Sequence, residues 1–330
     1  MSMTTQYMDQ LIRANLWSNE LKESLKDELM GMRHVRMLDG FPDGTTFNIP
    51  SIGDARAEDY VENTPINFQA MDTGNYQFEI SKYIGAGHYI TDKAKMDSFY
   101  ADQLIASFVP KQRRAIMERF ETEMLKVPEN TISVSANGQY AINGATHRFA
   151  GGNSGTIEMA DFSYAGIALD LANVPYEGRV AIVPPQVAFH LENLTNAVNV
   201  TNLSPMWEPV VQNRITTGMR FRFNIYGFDV YTSNYLPDSA SVTNVPNALP
   251  DRVGSGTVDF STAGTGKPCY FFSAAPDVVP WLAAWRQEPT VEFSRDHDYH
   301  RDKYSTTALF GVQLYRDENM VICHSKIAMA

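Results

Sequence analysis

The densest group of residues with metal-ligand chemistry is Asp296-His297-Asp298-Tyr299-His300, two imidazoles three apart with carboxylates beside them. A helical zinc-hydrolase site needs Glu directly after the first His and a spacing of four. Here Asp298 follows His297, the spacing is three, and the segment reads as a turn between strands. A solvated turn carrying ion pairs with Arg295, Arg301 and Lys303 accounts for the same residues without a metal. A metal-dependent enzyme built on His297 and His300 stays as the alternative from another class of function. Gly264-Thr265-Gly266-Lys267 lacks two requirements of a phosphate loop, since Ser261 stands where Gly is needed and Pro268 where Ser or Thr is needed. Gly85-Ala86-Gly87-His88 fails as a dinucleotide fingerprint because Ile90 occupies the third glycine position. Cys323 has His324 beside it, but neighbours in a strand point to opposite faces, so the pair does not share a site. With no Gly-x-Ser-x-Gly elbow and no isolated carboxylate pair, nothing argues positively for catalysis, and no cofactor is expected.

The elements that would carry these residues follow from hydrophobic period. Ser18 caps an expected helix with Leu21, Leu25 and Leu29 spaced by four, a thin stripe that fits an N-terminal arm over Met1–Arg36 lying on a neighbouring chain and equally a helix packed on its own domain. Residues Thr45–Pro50 and Tyr76–Ile80 alternate as strands, and the acidic stretch between them has little to bury. A two-stranded ribbon is marginal alone in water, so this one should gain order on another surface. Asp97 or Ser98 opens the longest helical pattern, through Leu104, Ile105, Phe108, Ile116, Met117, Phe120 and Leu125. Pro110 predicts a kink or restart near Val109, and Pro128 predicts the end. Arg114 with Glu118 and Arg119 with Glu123 lie at i,i+4 on its outer face.

Beyond a turn-rich stretch with Asn143-Gly144, Asp161 caps an expected helix whose buried face is Ile167, Ala168 and Leu171. Arg179–Val183 reads as a buried strand, followed after Pro184-Pro185 by a helix through Leu191 and Leu194. Met219–Ile225 and Phe228–Thr232 read as strands around Gly227, Pro237–Lys267 as an exposed loop, and Cys269–Ser273, Val291–Ser294, Thr306–Tyr315 and Met320–Ile327 as closing strands.

Composition bounds the answer from outside. The 330 residues, 44% hydrophobic and 20% charged, belong to a folded chain of one large or two ordinary domains. A formal net charge of −11 disfavours a tight grip on a phosphate backbone. Two cysteines cannot make a disulfide framework, residues 1–15 lack the features of a signal peptide, and no run approaches the roughly 18 apolar residues of a membrane span, which together read as cytosolic.

Several segments, in their order along the chain, resemble the tailed-phage major capsid protein of the Hong-Kong-97 type. Leu16-Trp17-Ser18-Asn19-Glu20-Leu21 is similar to the arm that opens such chains, and Gly44-Thr45-Thr46-Phe47-Asn48-Ile49-Pro50 to the start of the E-loop, with Tyr60 and Thr64-Pro65-Ile66 as its return. Asp97–Lys126 resembles the spine helix, and Arg179–Pro185 the strand that leads into an axial helix. Ile225–Asn234 and Phe310–Arg316 resemble the family's "G-x-x-V-x-x-S-N" segment and its closing strand.

The resemblance implies an α+β fold with an N-terminal arm (1–40), an E-loop β-ribbon (41–95), a peripheral domain with the spine helix (96–160), an axial α/β domain (161–285) and return strands (286–330). It implies a major capsid protein of a tailed dsDNA bacteriophage, with an encapsulin-like cargo shell as the runner-up. Implied partners are copies of itself in hexamers and pentamers, a separate scaffolding protein because no fused scaffold of about a hundred residues precedes the arm, a portal, room for a decoration protein, and non-specifically packaged dsDNA, with no membrane. Assembly is expected in the host bacterial cytoplasm and residence in the virion. Inter-subunit contacts are expected at Trp17 and Tyr60, and between Arg56, Glu58, Asp59 and Glu62 of the ribbon and Arg113, Arg114 and Arg119 of the helix. Because Ser51–Thr73 contains no lysine, a shell without covalent crosslinks is expected.

Overall fold

The computed structural model describes residues 33–38, 46–52, 57, 59, 62–63, 65, 73–97, 101–132, 140–152, 155–191, 221–239, 242, 245–246, 257–260 and 266–327. The arm helix after Ser18 lies outside the described residues. After β1 (Val35–Met37), β2 (Thr46–Ile52) and β3 (Thr73–Glu79) pair antiparallel, Thr46 opposite Glu79 and Ile52 opposite Thr73, as their alternation predicts. Next comes β4 (Lys82–Thr91), a strand without a clear sequence pattern, because Gly85, Ala86 and Gly87 carry no hydrophobic signal. It runs into α1 (Asp92–Asp97) and then α2 (Ala101–Thr131).

The expected break at Pro110 and end at Pro128 are both corrected: α2 is helical through each. An interior proline leaves the carbonyl four residues earlier without its N–H partner. For Pro128 that carbonyl belongs to Met124, and the Trp281 indole N–H donates to it at 3.2 Å. The Trp281 donor therefore replaces the one bond Pro128 removes, and the Tyr270 hydroxyl adds a further bond to the last turns, donating to Leu125 O at 2.7 Å.

The chain continues through β5 (Ala141–Ile142) and β6 (Ala145–Thr146), joined by Asn143 and Gly144 at φ 48° and 87° as a two-residue hairpin turn requires, and then β7 (Arg148–Ala150). In α3 (Met159–Leu171) the N-cap is Glu158, and Asp161 is the third helical residue, its Oδ2 accepting from Glu158 N at 2.7 Å and Gly152 N at 2.9 Å. Its expected face is also corrected. Ile167 and Leu171 are 52% and 42% exposed, whereas Phe162, Ala165, Ala168 and Leu169 are buried. The bulky ring sets the orientation, since Phe162 packs edge-on against Phe271 with centroids 5.0 Å apart.

The remaining elements are β8 (Arg179–Val183), α4 over 185–191, β9 (Phe221–Ile225), β10 (Phe228–Thr232), β11 (Val245–Pro246), β12 (Thr257–Val258), β13 (Gly266–Ser273), β14 (Trp281–Asp296), β15 (Arg301–Leu314) and β16 (Met320–Lys326). The loop expected over Pro237–Lys267 holds the antiparallel pair β11 and β12, and a small core of Val242, Val245 and Phe260 against Ala150.

Two sheets organise the body, a six-stranded one ordered β7-β16-β13-β8-β10-β9 and a four-stranded one ordered β1-β14-β15-β4. Strand alternation sends the two faces of the six-stranded sheet to different layers. Ala181, Val183, Cys269, Phe271, Val321 and Cys323 meet α3 and α4, while Val180, Ile182, Tyr270, Phe272, Met320 and Ile322 meet Phe120, Met124 and Leu125 of α2. The same α2 residues share their core with Trp281, Ala283, Phe310 and Leu314 of the four-stranded sheet, so one helix serves both sheets.

Candidate assembly surfaces

Beyond its base, the β14–β15 hairpin leaves the core: from Arg286 to Arg295 no side chain is buried. Pro289 lies where the pairing register shifts, the position in a strand that tolerates a residue without an N–H. The distal hairpin is fastened instead by polar contacts. Gln112 of α2, buried, reaches His88 Nδ1 at 2.7 Å on β4, donates to Tyr304 O at 3.1 Å and accepts from the Thr306 hydroxyl at 2.9 Å on β15.

At the tip, Asp296 pairs with Lys303 at 2.6 Å and Arg301 at 3.0 Å. Arg295 bridges Asp92 of α1 at 2.6 Å and Asp302 at 2.7 Å, and Lys95 of α1 also binds Asp302. The Lys303 ammonium holds the Asp296 carboxyl down at about 2, and Lys95 holds that of Asp302 below the ordinary aspartate range. Arg301 lies between the rings of Tyr89 and Tyr299, 4.8 and 4.6 Å from their centroids. His300 O accepts from Asp92 N at 3.0 Å, closing the turn onto α1. The expected ion pairs around the histidine turn are therefore present, with α1 and the two tyrosines added. His297 and His300 are exposed, and among the described residues no group of three or more His, Cys, Asp or Glu is arranged to hold a metal.

The β2–β3 ribbon is built differently. Phe78 is buried at its root with Ile80, Leu282 and Ala284, and the Tyr76 hydroxyl lies 3.0 Å from Leu314 O and 3.1 Å from Gln313 Oε1. Gly311 of β15 permits this seat, since a Cβ there would stand 2.5 Å from Glu79 O. Farther out, Phe47 is exposed and Ile49 half-buried, and among the described residues of the two strands Glu79 is the one charged side chain, with no ion pair.

Of the expected contact residues, Asp59 and Glu62 are exposed, as is Arg113. Arg114 pairs with Glu118 at 3.1 Å and Arg119 with Glu123 at 2.7 Å along α2, and Glu123 also receives Lys82 at 3.4 Å. Trp17, Arg56, Glu58 and Tyr60 lie outside the described residues. Lys267 of the rejected phosphate loop donates to Leu236 O at 2.9 Å. Cys269 and Cys323 are buried directly opposite each other on β13 and β16, with burial pushing the Cys269 thiol up, while His324 points to the other face. The sequence reading missed the exposed aromatics Tyr83, Tyr89, Phe293 and Tyr299 of the distal sheet and its turn, which no local pattern marks as a group.

A fold with these layers and projections is shared with solved capsid shells. The cyanophage P-SCSP1u capsid is similar at 12% identity with a TM-score of 0.69, over 97% of this chain and 94% of that one. Mycobacterium phage Che8 is similar at 17% identity with a TM-score of 0.57, over 93% and 95%. The SrpI encapsulin of Synechococcus elongatus PCC 7942 is similar at 9% identity with a TM-score of 0.59, over 100% and 98%. No curated protein sequence matches the chain. The model of the phage capsid protein family matches residues 75–321, and the chain belongs to that family. Its function is that of a major capsid protein, a structural subunit of a multimeric shell.

Proposed function

We propose that this capsid subunit closes an icosahedral head around the genome of a tailed dsDNA phage, tiling it as hexamers and pentamers in the host cytoplasm. The observation that carries this reading is the β2–β3 ribbon, a separate two-stranded sheet fastened to its own chain only at the root among the described residues. Such a ribbon finds further burial on a neighbouring copy, and many modest contacts of this kind sum to a stable lattice. Arg56, Glu58, Asp59 and Glu62 on one copy facing Arg113, Arg114 and Arg119 on the next would fix register more than affinity. Trp17 and Tyr60 would add apolar area to the same boundaries. On this reading the chain divides into arm, ribbon, peripheral, axial and return parts as given above, with α2 in the peripheral part; the six-stranded sheet draws β8, β9, β10 and β13 from the axial range, β7 from the peripheral range and β16 from the return range.

A net charge of −11 suits enclosing DNA by non-specific contact without gripping it. A separate scaffolding protein, a portal and a decoration protein are the partners such a head would use. The likeness to the SrpI encapsulin supports a second reading, a protein-cargo shell of the same architecture. Negative-stain microscopy of the expressed full chain, alone and with a candidate scaffold, tests the first reading. Closed particles are expected, nucleic acid inside particles from infected cells separates the phage head from a cargo shell, and a small soluble oligomer under every condition would refute both.

A further inference from the structure

The four-stranded sheet ends on an uncovered strand. In the order β1-β14-β15-β4, β4 pairs with β15 from Lys82 opposite Phe310 to Thr91 opposite Arg301. On its other side, residues 82–87 and 89–91 make no backbone bond among the described residues. Such an edge is a template for another strand, and natural sheets blunt it with proline, bulges or charge. β4 has no proline and no break in register, and its one lysine stands at its start. Its two faces differ. Ile84 packs against the core that α2 shares and His88 meets Gln112, so the even-numbered residues turn toward the helix. On the opposite face Tyr83 and Tyr89 are 64% and 61% exposed, with Gly85 and Gly87 between them. A Cβ on either glycine would stand in ordinary contact, 3.5 Å from Thr307 Cγ2 and 3.6 Å from Tyr304 O, so the fold of a single chain does not require glycine there. Glycine weakens a strand interior and suits the close approach of another backbone. The stretch Tyr83-Ile84-Gly85-Ala86-Gly87-His88-Tyr89 also reads nearly the same from either end, with Ala86 at its centre.

We propose that β4 pairs antiparallel with β4 of a second copy across a two-fold axis at Ala86, joining two four-stranded sheets into one. This rests on the role of the chain as a shell subunit. In an antiparallel pair, opposed residues both turn their backbone groups to the partner or both turn them away. Two copies of one strand therefore meet only in registers that set odd positions against odd and even against even. Centring on Ala86 satisfies this and sets Tyr83 opposite Tyr89 and Gly85 opposite Gly87 on the outer face, with Ile84 opposite His88 on the α2 side. Four tyrosines then border a floor of four glycines, over which their rings can lie, and aromatic cross-strand pairs stabilise a sheet. Carried past the ends of the strand, the same register brings Glu79 of one copy toward Lys93 of the other, once at each end. Both side chains are exposed, and neither has an ion pair within its own chain. A two-fold contact is self-complementary, residue i meeting j while j meets i, and a strand that reads alike in both directions meets that condition. Repeated around a shell, so small a contact gains strength from the number of its copies.

A single cysteine on the axis tests the register. Opposed Cα atoms of an antiparallel pair lie within the span of a disulfide, so full-length Ala86→Cys in assembled particles, oxidised with glutathione disulfide, should run mostly as a covalent dimer on a non-reducing gel. Ser81→Cys, whose two copies would stand about 33 Å apart across the axis, should give at least about tenfold less dimer. Wild-type chain should give none, because Cys269 and Cys323 are buried. Glu79→Lys or Lys93→Glu alone places like charges at both ends and should lower the yield of particles about fivefold, and combining the two should restore it. Particles of Ala86→Cys without the dimer, or with no more dimer than Ser81→Cys, overturn the pairing and leave the shell reading standing. If Ala86→Cys does not assemble, a combined charge reversal no better than either single one overturns the pairing equally. Wild-type chain that forms no particles under any condition refutes the shell reading and the pairing with it.

Discussion

Two ribbons leave the body of this subunit, and they are held by different means. The β14–β15 hairpin runs past its core, yet its far end carries its own fastening: Asp92, Lys95, Arg295, Asp296, Arg301, Asp302 and Lys303 are paired with one another, Arg301 is stacked between tyrosines, and Gln112 stitches its middle to α2. The β2–β3 ribbon has an apolar root at Phe78 and Tyr76 and, among the described residues, no ion pair farther out. The first is preorganised before it meets anything, so docking it costs little side-chain ordering. The second, on the proposed reading, acquires its order from a neighbour. The proposed reading thus gives the subunit one stiff projection and one that assembly completes.

Breaking the common base should have the largest effect. Trp281→Ala removes a fully buried indole and leaves Met124 O without a donor, and a loss of about 3–5 kcal/mol is expected in denaturant unfolding of unassembled chain. Trp281→Phe keeps most of the packing and should lose only about 1–2 kcal/mol. Gly311→Val places side-chain atoms against Glu79 O and Ile80 Cα, and should cost about 1–3 kcal/mol while unseating the root of β2–β3. Faster exchange confined to residues 73–80, with 286–305 unchanged, would sharpen the contrast between the ribbons.

Acid should act the other way round. A carboxylate whose folded pKa is depressed contributes stability present above its unfolded value and lost as pH falls through the folded one. Lowering pH from about 4 toward about 2 therefore loosens the hairpin tip through Asp296, Asp302 and Asp92, with the β2–β3 root unaffected. Exchange read on peptides from both regions checks this, and Asp302→Asn should reproduce the tip effect at neutral pH by freeing Lys95 and Arg295 from their shared partner. The smallest change is expected from Arg301→Lys, which retains the charge but loses planar stacking, about 0.5–1 kcal/mol in thermal or denaturant unfolding.

What could be read from the sequence follows the same division. Alternation revealed β2, β3, β9 and β10, and the histidine turn was legible as a turn because Asp298 and the spacing of three ruled out a helical metal site. Local rules failed where a distant residue intervened. Pro128 ends a helix in isolation but not when Trp281 and Tyr270 serve the last turns, and Ile167 and Leu171 form a good helical stripe that loses to Phe162. The hairpin tip was only half visible, since Asp92 and Lys95 lie some two hundred positions from the carboxylates and arginines they join.

The most direct test of ribbon completion by neighbours is hydrogen exchange across residues 46–79 in unassembled chain and in closed particles, with the hairpin tip at 290–305 as the internal reference. Protection that rises at least about tenfold in the ribbon on assembly, and much less in the tip, is the predicted result. Equal protection of the ribbon in both states would contradict the account.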